Sequence, residues 1–179
     1  YFSVKNEVFS FKPKDKAIKA MLHNSKIKKI SHDLKRIKVN LTGQGIELNG
    51  LSFDTMIAAY LLNPSKPGYS LSDLSWDYLE KPLRHEDIDG LKSIDLIRNI
   101  KPRLEKELKD KNLLKLFLEI EMPLVDVLAE MELNGIRLDL AKLKKLSSEL
   151  EKRLIKLIED IYEMSGAQFN INSPKQLRQ

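Results

Sequence analysis

Four aspartates and one histidine are the side chains of this sequence best suited to holding a divalent metal. Asp33 follows His32, Asp54 follows a short apolar run, and Asp89 and Asp95 lie in one polar stretch. Two metal ions held by a cluster of carboxylates can activate water and stabilise an in-line displacement at phosphorus. The pattern therefore allows a nuclease, which requires these four aspartates to converge within about 5 to 8 Å.

Local structural roles explain the same side chains without a metal. Asp54 precedes an apolar helical stretch and is predicted to be its N-cap, and the pair His32–Asp33 suits a cap or a surface position. The other histidines, His23 and His85, provide no ligand spacing. The sequence has no cysteine, which excludes disulfides, thiolate nucleophiles and cysteine-bound metals and is compatible with a reducing cytoplasm.

A second polar cluster occupies the segment FNINSPKQL, residues 169–177. Its hydrogen-bonding side chains are Asn170, Asn172, Ser173, Lys175 and Gln176. Such donors can reach phosphate oxygens, and Ser173-Pro174 is a favourable helix start whose free N–H groups attract anions. The alternative is that the segment only caps a helix.

The composition indicates a globular chain with a core and no membrane partner. Of its 179 residues, 42% are hydrophobic and 32% charged, and no apolar run approaches the roughly 20 residues that span a bilayer. The net charge of +5 comes mainly from lysines within residues 1–49. These lysines form either a footprint for phosphate backbones or a solvated surface. Trp76 and Tyr78 could likewise stack on bases or pack against the sheet.

The elements that must position these groups differ between the two halves. Strand-like and helix-like patterns alternate along the first half: a hairpin in residues 1–11, helices near 14–24, 32–44, 52–63 (with Ser52 or Asp54 as the cap) and 70–81, and strands near 26–31 and 45–48. Such alternation predicts an α/β layered unit.

The second half reads as helical throughout. Apolar residues within 119–135 form one stripe that ends at Asn134-Gly135. Asp139 is the predicted N-cap of a helix of about 25 residues, roughly 37 Å long, which Gly166 ends. Its leucines recur at intervals of three and four residues. This helix is either a projecting stem or one strand of a coiled coil.

Three stretches together resemble bacterial DNA polymerase I, the family A DNA polymerases. They are HDLKRIKVNLTGQGIELNGLSFDTMIAAYLLNP (32–64), EIEMPLVDVLAEMELNGIRLD (119–139) and GAQFNINSPKQL (166–177). The resemblance implies that residues 1–115 form an RNase H-like 3′–5′ exonuclease-type domain and that residues 116–179 begin the polymerase domain with the stem of its thumb. It also implies that the polar side chains of 170–176 contact primer–template DNA.

The same resemblance implies that the exonuclease is inactive. In that family, metal ligands come from an Asp-x-Glu on the first strand, an Asp inside a helix and a Tyr-x-x-x-Asp motif. No Asp-x-Glu precedes Lys35, the helix position corresponds to Ile37, and the residues four before Asp89 and Asp95 are His85 and Leu91. We therefore expect a fragment that lacks the first strand and has no catalytic or metal-binding residues of its own.

These observations favour a cytoplasmic fragment of a DNA polymerase that acts in replication and repair. Its partners would be primer–template DNA and the rest of the polymerase chain, and Mg²⁺ would serve only the whole polymerase. The alternatives are a live metal-dependent exonuclease and a helical interaction module without enzymatic activity.

Overall fold

The computed structural model describes residues 2–4, 7–9, 15–84, 86 and 88–178. The chain forms two compact units, of which the first ends at Gly135 and the second begins at Ile136. No helix in the described part is long and apolar enough to cross a membrane. The domain boundary predicted between residues 115 and 116 comes from the family resemblance, whereas the two units are defined by their internal contacts. The predicted boundary therefore stays a prediction.

Two small sheets lie in the first unit. Strands β1 (Phe2–Val4) and β2 (Glu7–Phe9) pair antiparallel, as the predicted hairpin requires, while residues 5 and 6 of its turn lie outside the described residues. Strands β3 (Lys29–Ser31) and β4 (Leu51–Asp54) pair parallel, with a helix between them in the chain. This strand–helix–strand unit confirms the α/β class.

Helices make up most of the first unit. They are α1 (Lys16–His23), α2 (Leu34–Thr42), α3 (Thr55–Leu62), α4 (Leu71–Leu79), α5 (Gly90–Asp110), α6 (Leu114–Leu116), a π-helical turn (Phe117–Glu121) and α7 (Met122–Asn134). The main core lies where α3 and α4 pack on α5. Helix α5 contributes one buried residue per turn, at Leu96, Ile100, Leu104 and Leu108.

Phe53 of strand β4 connects this core to the π-helical turn. The Phe53 ring packs at 4.8 Å, centroid to centroid, from the ring of the fully buried Phe117. The Lys101 ammonium lies 4.9 Å from the centroid of the Phe53 ring and also binds Glu105 on its own helix, at 2.6 Å. The Phe53 ring is therefore held between α5 and the π-helical turn.

A second apolar cluster replaces the strand predicted at residues 45–48. Ile46 and Leu48 are buried together with Leu22 of α1. Their alternation imitates a strand, but the Ile46 N–H donates to the Leu41 carbonyl and the Asn49 N–H donates to the Leu22 carbonyl. The strand prediction for 45–48 is wrong because these backbone groups close turns onto helices instead of joining a ladder.

Two ion pairs connect α2 to α7. The Lys35 ammonium lies 2.5 Å from a Glu132 oxygen, and the Lys38 ammonium lies 2.5 Å from an Asp126 oxygen. Hydrogen bonding to Glu132 raises the pKa of Lys35. Two lysines of the basic first half therefore neutralise carboxylates of α7, which reduces the positive charge that this half offers to a phosphate backbone.

The second unit consists of α8 (Leu140–Ser165), a turn and α9 (Pro174–Leu177). The Asp139 side chain accepts from the Lys142 N–H at 2.9 Å, and Gly166 ends α8 at a φ of 67°. Both predicted ends are therefore confirmed. The apolar stripe of α8 is exposed along its length, at Leu143, Leu146, Leu150, Leu154, Leu157 and Ile161.

Helix α8 carries its charges in an order that opposes its own dipole. Its first turn has no acidic residue and its last turn has no basic residue. Lysines follow the start at Lys142, Lys144 and Lys145, and acids precede the end at Glu159, Asp160 and Glu163. Beyond the Asp139 cap, the positive end of the helix dipole therefore meets cations and the negative end meets anions.

Gly50 is a position where another backbone segment approaches closely. At a φ of +75°, it lies beside the 25–27 turn, where an added Cβ would be 2.6 Å from the Ile27 carbonyl oxygen and 2.7 Å from that of Ser25. The Gly50 carbonyl also accepts from the Lys29 N–H at 2.8 Å. This approach joins β3 to the entry of β4.

We expect Gly50→Ala to lower the free energy of unfolding by about 3 kcal/mol or more, from left-handed strain together with a clash. Gly45→Ala is the matched control, because Gly45 has a φ of +72° and no atom within 4 Å of an added Cβ. Its loss should be about 1 kcal/mol. Urea unfolding measures both variants, and equal losses would show that the close approach at Gly50 contributes nothing.

Candidate functional site

The side chain of Asp54 joins the starts of two helices. It caps α3 by accepting from the N–H groups of Met56, at 2.8 Å, and Ile57, at 3.4 Å. It also accepts from the N–H groups of Leu34, at 2.6 Å, and Asp33, at 3.2 Å, where α2 begins. The predicted cap is confirmed, and its second set of donors comes from a helix that lies far away in the sequence.

Burial governs the ionisation of Asp54. The residue is fully buried, and desolvation raises the pKa of its carboxyl group above the ordinary value of 3.8. The four backbone N–H groups stabilise the charged form and act in the opposite direction, with the smaller effect. This carboxyl group is therefore committed to backbone donors and is screened from solvent.

His32 lies beside this site as a neutral ring. Its Nδ1 is 2.9 Å from the Thr55 hydroxyl, which lies 3.4 Å from the Ser31 carbonyl and can donate to it. Burial lowers the pKa of His32 to about 4. The ring therefore contributes no positive charge at neutral pH, and its role here is to bond the end of β3 to the start of α3.

The other candidate carboxylates have roles at or within helices. Asp33 caps α2 by accepting from the Arg36 N–H, and Asp89 caps α5 by accepting from the Lys92 N–H. Asp95 is exposed on α5. Among the described residues, no group of three or more histidines and carboxylates could hold a metal ion. The convergence of Asp33, Asp54, Asp89 and Asp95 that a nuclease would need is therefore not found.

Ile37 lies in the second apolar cluster. Its half-buried side chain packs with Ile18 and Met21 of α1 and with Leu41, around the buried Leu22. A carboxylate at this position would lose part of its hydration and meet only apolar groups. The helix position that the resemblance assigns to a metal ligand thus contributes packing.

The two aromatic residues of α4 have different environments. Tyr78 packs against the main core, and burial raises the pKa of its hydroxyl to about 12. Trp76 is 61% exposed and lines an open cavity of about 600 Å³ with Pro82 and Leu83. The predicted packing is wrong for Trp76, and for Tyr78 packing is found against the main core between helices rather than against a sheet. Base stacking on Trp76 stays a prediction.

The polar segment 169–177 folds back on the end of α8. The Tyr162 hydroxyl donates to the Phe169 carbonyl at 2.9 Å, and the two rings meet edge to face with centroids 5.9 Å apart. The segment therefore starts from an anchored position. Sequence analysis did not identify the anchoring role of Tyr162, because this residue lies within a helical pattern that does not distinguish it from its neighbours.

Two side-chain oxygens of the segment are engaged within it. The Asn170 N–H donates to Gln176 Oε1 at 2.7 Å, and the Asn172 N–H donates to Asn170 Oδ1 at 3.0 Å. The NH₂ groups of these two amides are then left to donate elsewhere. Asn170, Asn172 and Gln176 are all exposed.

Ser173 and Lys175 complete the predicted set. Ser173 precedes α9 but its side chain makes no capping hydrogen bond, and Lys175 is exposed. Helix α9 is a single turn of 4 residues, so few peptide dipoles add up at its start. Any contact with phosphate would therefore rest on the side chains. The assignment of these five residues to DNA contact stays a prediction.

Comparisons with known proteins give one consistent answer. Residues 3–87 match the family model described as "DNA polymerase I, ribonuclease H-like domain". DNA polymerase I of Bacillus subtilis is 37% identical over 98% of this chain and 23% of its own length. DNA polymerase I of Geobacillus stearothermophilus is 33% identical over 88% of this chain and 20% of its own length. The chain thus spans about a fifth of these relatives.

A solved structure agrees with the sequence matches. The POL domain of Pol1 from M. smegmatis, in complex with DNA primer–template and dNTP, superposes with a TM-score of 0.74 at 33% identity. The match covers 90% of this chain and 28% of that one. It extends the similarity well beyond the residues that match the family model.

We expect Ile37→Asp to lower the free energy of unfolding by about 1–3 kcal/mol without creating nuclease activity, because the new carboxylate would sit among apolar groups. Asn40→Asp adds the same charge to an exposed position of α2 and should change stability by less than about 0.5 kcal/mol. Urea unfolding measures stability. Digestion of a 3′-labelled single strand with Mg²⁺ or Mn²⁺ measures activity.

Trimming by the unaltered chain that Asp54→Ala or Asp33→Ala abolishes would contradict an inactive domain. Trimming that appears only in Ile37→Asp would instead show that the position can still hold a metal.

We expect Asp54→Asn to destabilise the chain by about 2 kcal/mol, since one amide oxygen cannot accept from all four donors. The raised pKa of Asp54 adds a pH dependence. Its contribution to stability is fully present below pH 3.8 and is lost as the pH rises through the folded-state value. The advantage of the unaltered chain over the variant should therefore shrink from pH 3 to pH 8 in urea unfolding. If the stability advantage of the unaltered chain grew with pH instead, the N–H bonds would have a larger effect on the pKa of Asp54 than desolvation has.

Proposed function

Since the chain belongs to the DNA polymerase I family, we propose that it supplies two parts of a longer DNA-directed DNA polymerase that acts in replication and repair. The first part is an exonuclease-like scaffold without nuclease chemistry. The second is the base of the thumb, which contacts primer–template DNA. The polymerising centre and its Mg²⁺ belong to the remainder of that polymerase, in the cytoplasm.

The scaffold proposal is supported by how the first unit uses its acidic side chains. Asp54 holds the starts of α2 and α3, while Asp33 and Asp89 cap single helices. Ile37 contributes to an apolar cluster. A two-metal nuclease needs carboxylates that are free to bind cations and close together. Here the same residue types stabilise helices instead. We therefore propose that the unit keeps the exonuclease-type fold for an architectural role.

The DNA contact rests on one observation, the arrangement of donors in residues 170–176. Because the oxygens of Asn170 and Gln176 accept bonds from within the segment, their NH₂ groups are the parts left for a ligand. The Ser173 hydroxyl makes no capping bond and the Lys175 ammonium is exposed. A set of donors joined by one cation suits phosphate oxygens, which accept hydrogen bonds and carry negative charge.

Such a contact would position the duplex without reading its sequence. Neutral amides and a hydroxyl contribute hydrogen bonds, and the single lysine contributes the part of the affinity that depends on salt. The similar polymerase domain from M. smegmatis was solved with DNA primer–template, and that partner is the one we propose for this segment.

The interaction-module hypothesis retains one supporting observation. The apolar stripe of α8 is exposed, with Leu150 at 54% and Leu157 at 57%. An exposed stripe of this spacing can pair with another amphipathic helix. Dimerisation that depends on concentration stays the prediction of this second candidate, and sedimentation equilibrium would measure it.

We expect Lys175→Ala to weaken binding of a fluorescent primer–template duplex and to reduce the slope of log K against log salt by about 1, because one phosphate contact is lost. Fluorescence anisotropy over a range of NaCl concentrations measures both quantities. Lys106→Ala is the control, since Lys106 is an exposed lysine of α5 in the other unit.

An unchanged slope in Lys175→Ala, or equal losses in the two variants, would contradict a phosphate contact at Lys175. Absence of duplex binding by the unaltered chain at low salt would contradict the proposed DNA contact as a whole.

A further inference from the structure

Tyr162 differs from every residue assigned to DNA contact, because it lies in α8 and presents no donor to a ligand. Its hydroxyl proton is engaged by the Phe169 carbonyl at 2.9 Å, and its half-buried ring packs edge-on against the Phe169 ring. We infer that Tyr162 is a positioning residue for the DNA-contacting segment, which it anchors to the last turn of α8. This inference rests on the proposed function.

The turn between helix and segment has few other restraints. Gly166 ends α8 with a left-handed backbone conformation. The Ser165 hydroxyl lies 2.8 Å from the Ala167 carbonyl and 3.2 Å from the Tyr162 carbonyl. These bonds hold the chain only as far as Ala167. The Tyr162 hydroxyl reaches two residues further, and among the described residues its hydrogen bond connects the helix to the start of the segment.

A second brace closes the segment on itself. Gln176 Oε1 accepts from the Asn170 N–H, the Ser173 N–H donates to the Asn170 carbonyl, and the Asn172 N–H donates to Asn170 Oδ1. Asn170 follows Phe169 directly, so the anchor at Phe169 and the brace at Asn170 act on adjacent residues. The Tyr162 hydroxyl, together with the contact between the two rings, therefore helps to fix the orientation of the loop.

The five predicted contact residues thereby separate into two roles. Asn170 and Gln176 hold the loop through their oxygens and keep their NH₂ groups as donors, whereas the side chains of Asn172, Ser173 and Lys175 do not brace the described segment. A brace and a phosphate contact differ in how salt affects them. Losing a neutral brace leaves the donors less ordered before binding but keeps the Lys175 contact in the complex, so affinity falls while the salt slope stays the same.

The test is Tyr162→Phe in the 179-residue chain, which keeps the ring and removes only the hydroxyl. We expect binding of the primer–template duplex to weaken about fivefold, as for the loss of one neutral hydrogen bond, with an unchanged slope of log K against log salt. Lys175→Ala, by contrast, should change the slope.

Tyr69→Phe is the matched control. The Tyr69 hydroxyl also donates to a backbone carbonyl, that of Asn63 at 2.6 Å, and its ring also meets another ring edge-on, that of Tyr60 at 5.8 Å. It lies in the other unit. Duplex affinity should be unaffected by this variant, while circular dichroism confirms that both variants keep their helix content.

Amide hydrogen exchange gives a readout that does not need DNA. In Tyr162→Phe, the N–H groups of Asn170 and Asn172 should exchange several-fold faster, while those in the middle of α8 keep their rates. Unchanged exchange at these two amides would overturn the inference whatever the affinity, as would a changed salt slope.

The outcomes also separate the inference from the proposed function. If the unaltered chain binds the duplex and Tyr162→Phe binds equally well, the inference fails alone. If the unaltered chain does not bind, the proposed function fails and the DNA role of Tyr162 fails with it.

Discussion

One buried carboxylate organises the first unit. Asp54 stands at the end of β4 and accepts from the starting turns of both α2 and α3. Unsatisfied N–H groups at buried helix ends are unfavourable, and a single side chain satisfies them at two helices. Because α2 also carries the ion pairs to α7 and Ile37 of the second apolar cluster, the position of those contacts depends on the same carboxylate. A group bound in this way is not available to coordinate a cation.

The sequence predicted those features that follow from short-range chemistry. The N-caps Asp54 and Asp139, the stop at Gly166 and the leucine spacing of α8 are all local, and all are confirmed. The strand predicted at 45–48 failed, since alternating burial there comes from packing against α1 and α2. Alternation reports which side chains are buried and leaves open what the backbone bonds to.

The candidate site was only partly visible in the sequence for a related reason. The polar residues of 170–176 stand out by composition, but their division into braces and available donors depends on which amide oxygen meets which N–H. Such bonds leave no periodic pattern in the sequence. The bond of Tyr162 could not be predicted for the same reason, because its partner Phe169 lies beyond the helix that contains Tyr162. The N–H groups of Asp33 and Leu34 could not be predicted as donors to Asp54 because they lie about twenty residues away in the sequence.

The charge order of α8 has a consequence for how ionic strength acts on this molecule. Apart from the Asp139 cap, lysines near the positive end of the helix dipole and acids near its negative end are unfavourable at the two ends of α8. Dissolved ions screen these unfavourable terms, so electrolyte should make α8 firmer as its concentration rises. The same ions would compete with the proposed phosphate contacts and weaken them. A complex that dissociates in high salt would therefore lose its ligand while α8 is at its most rigid.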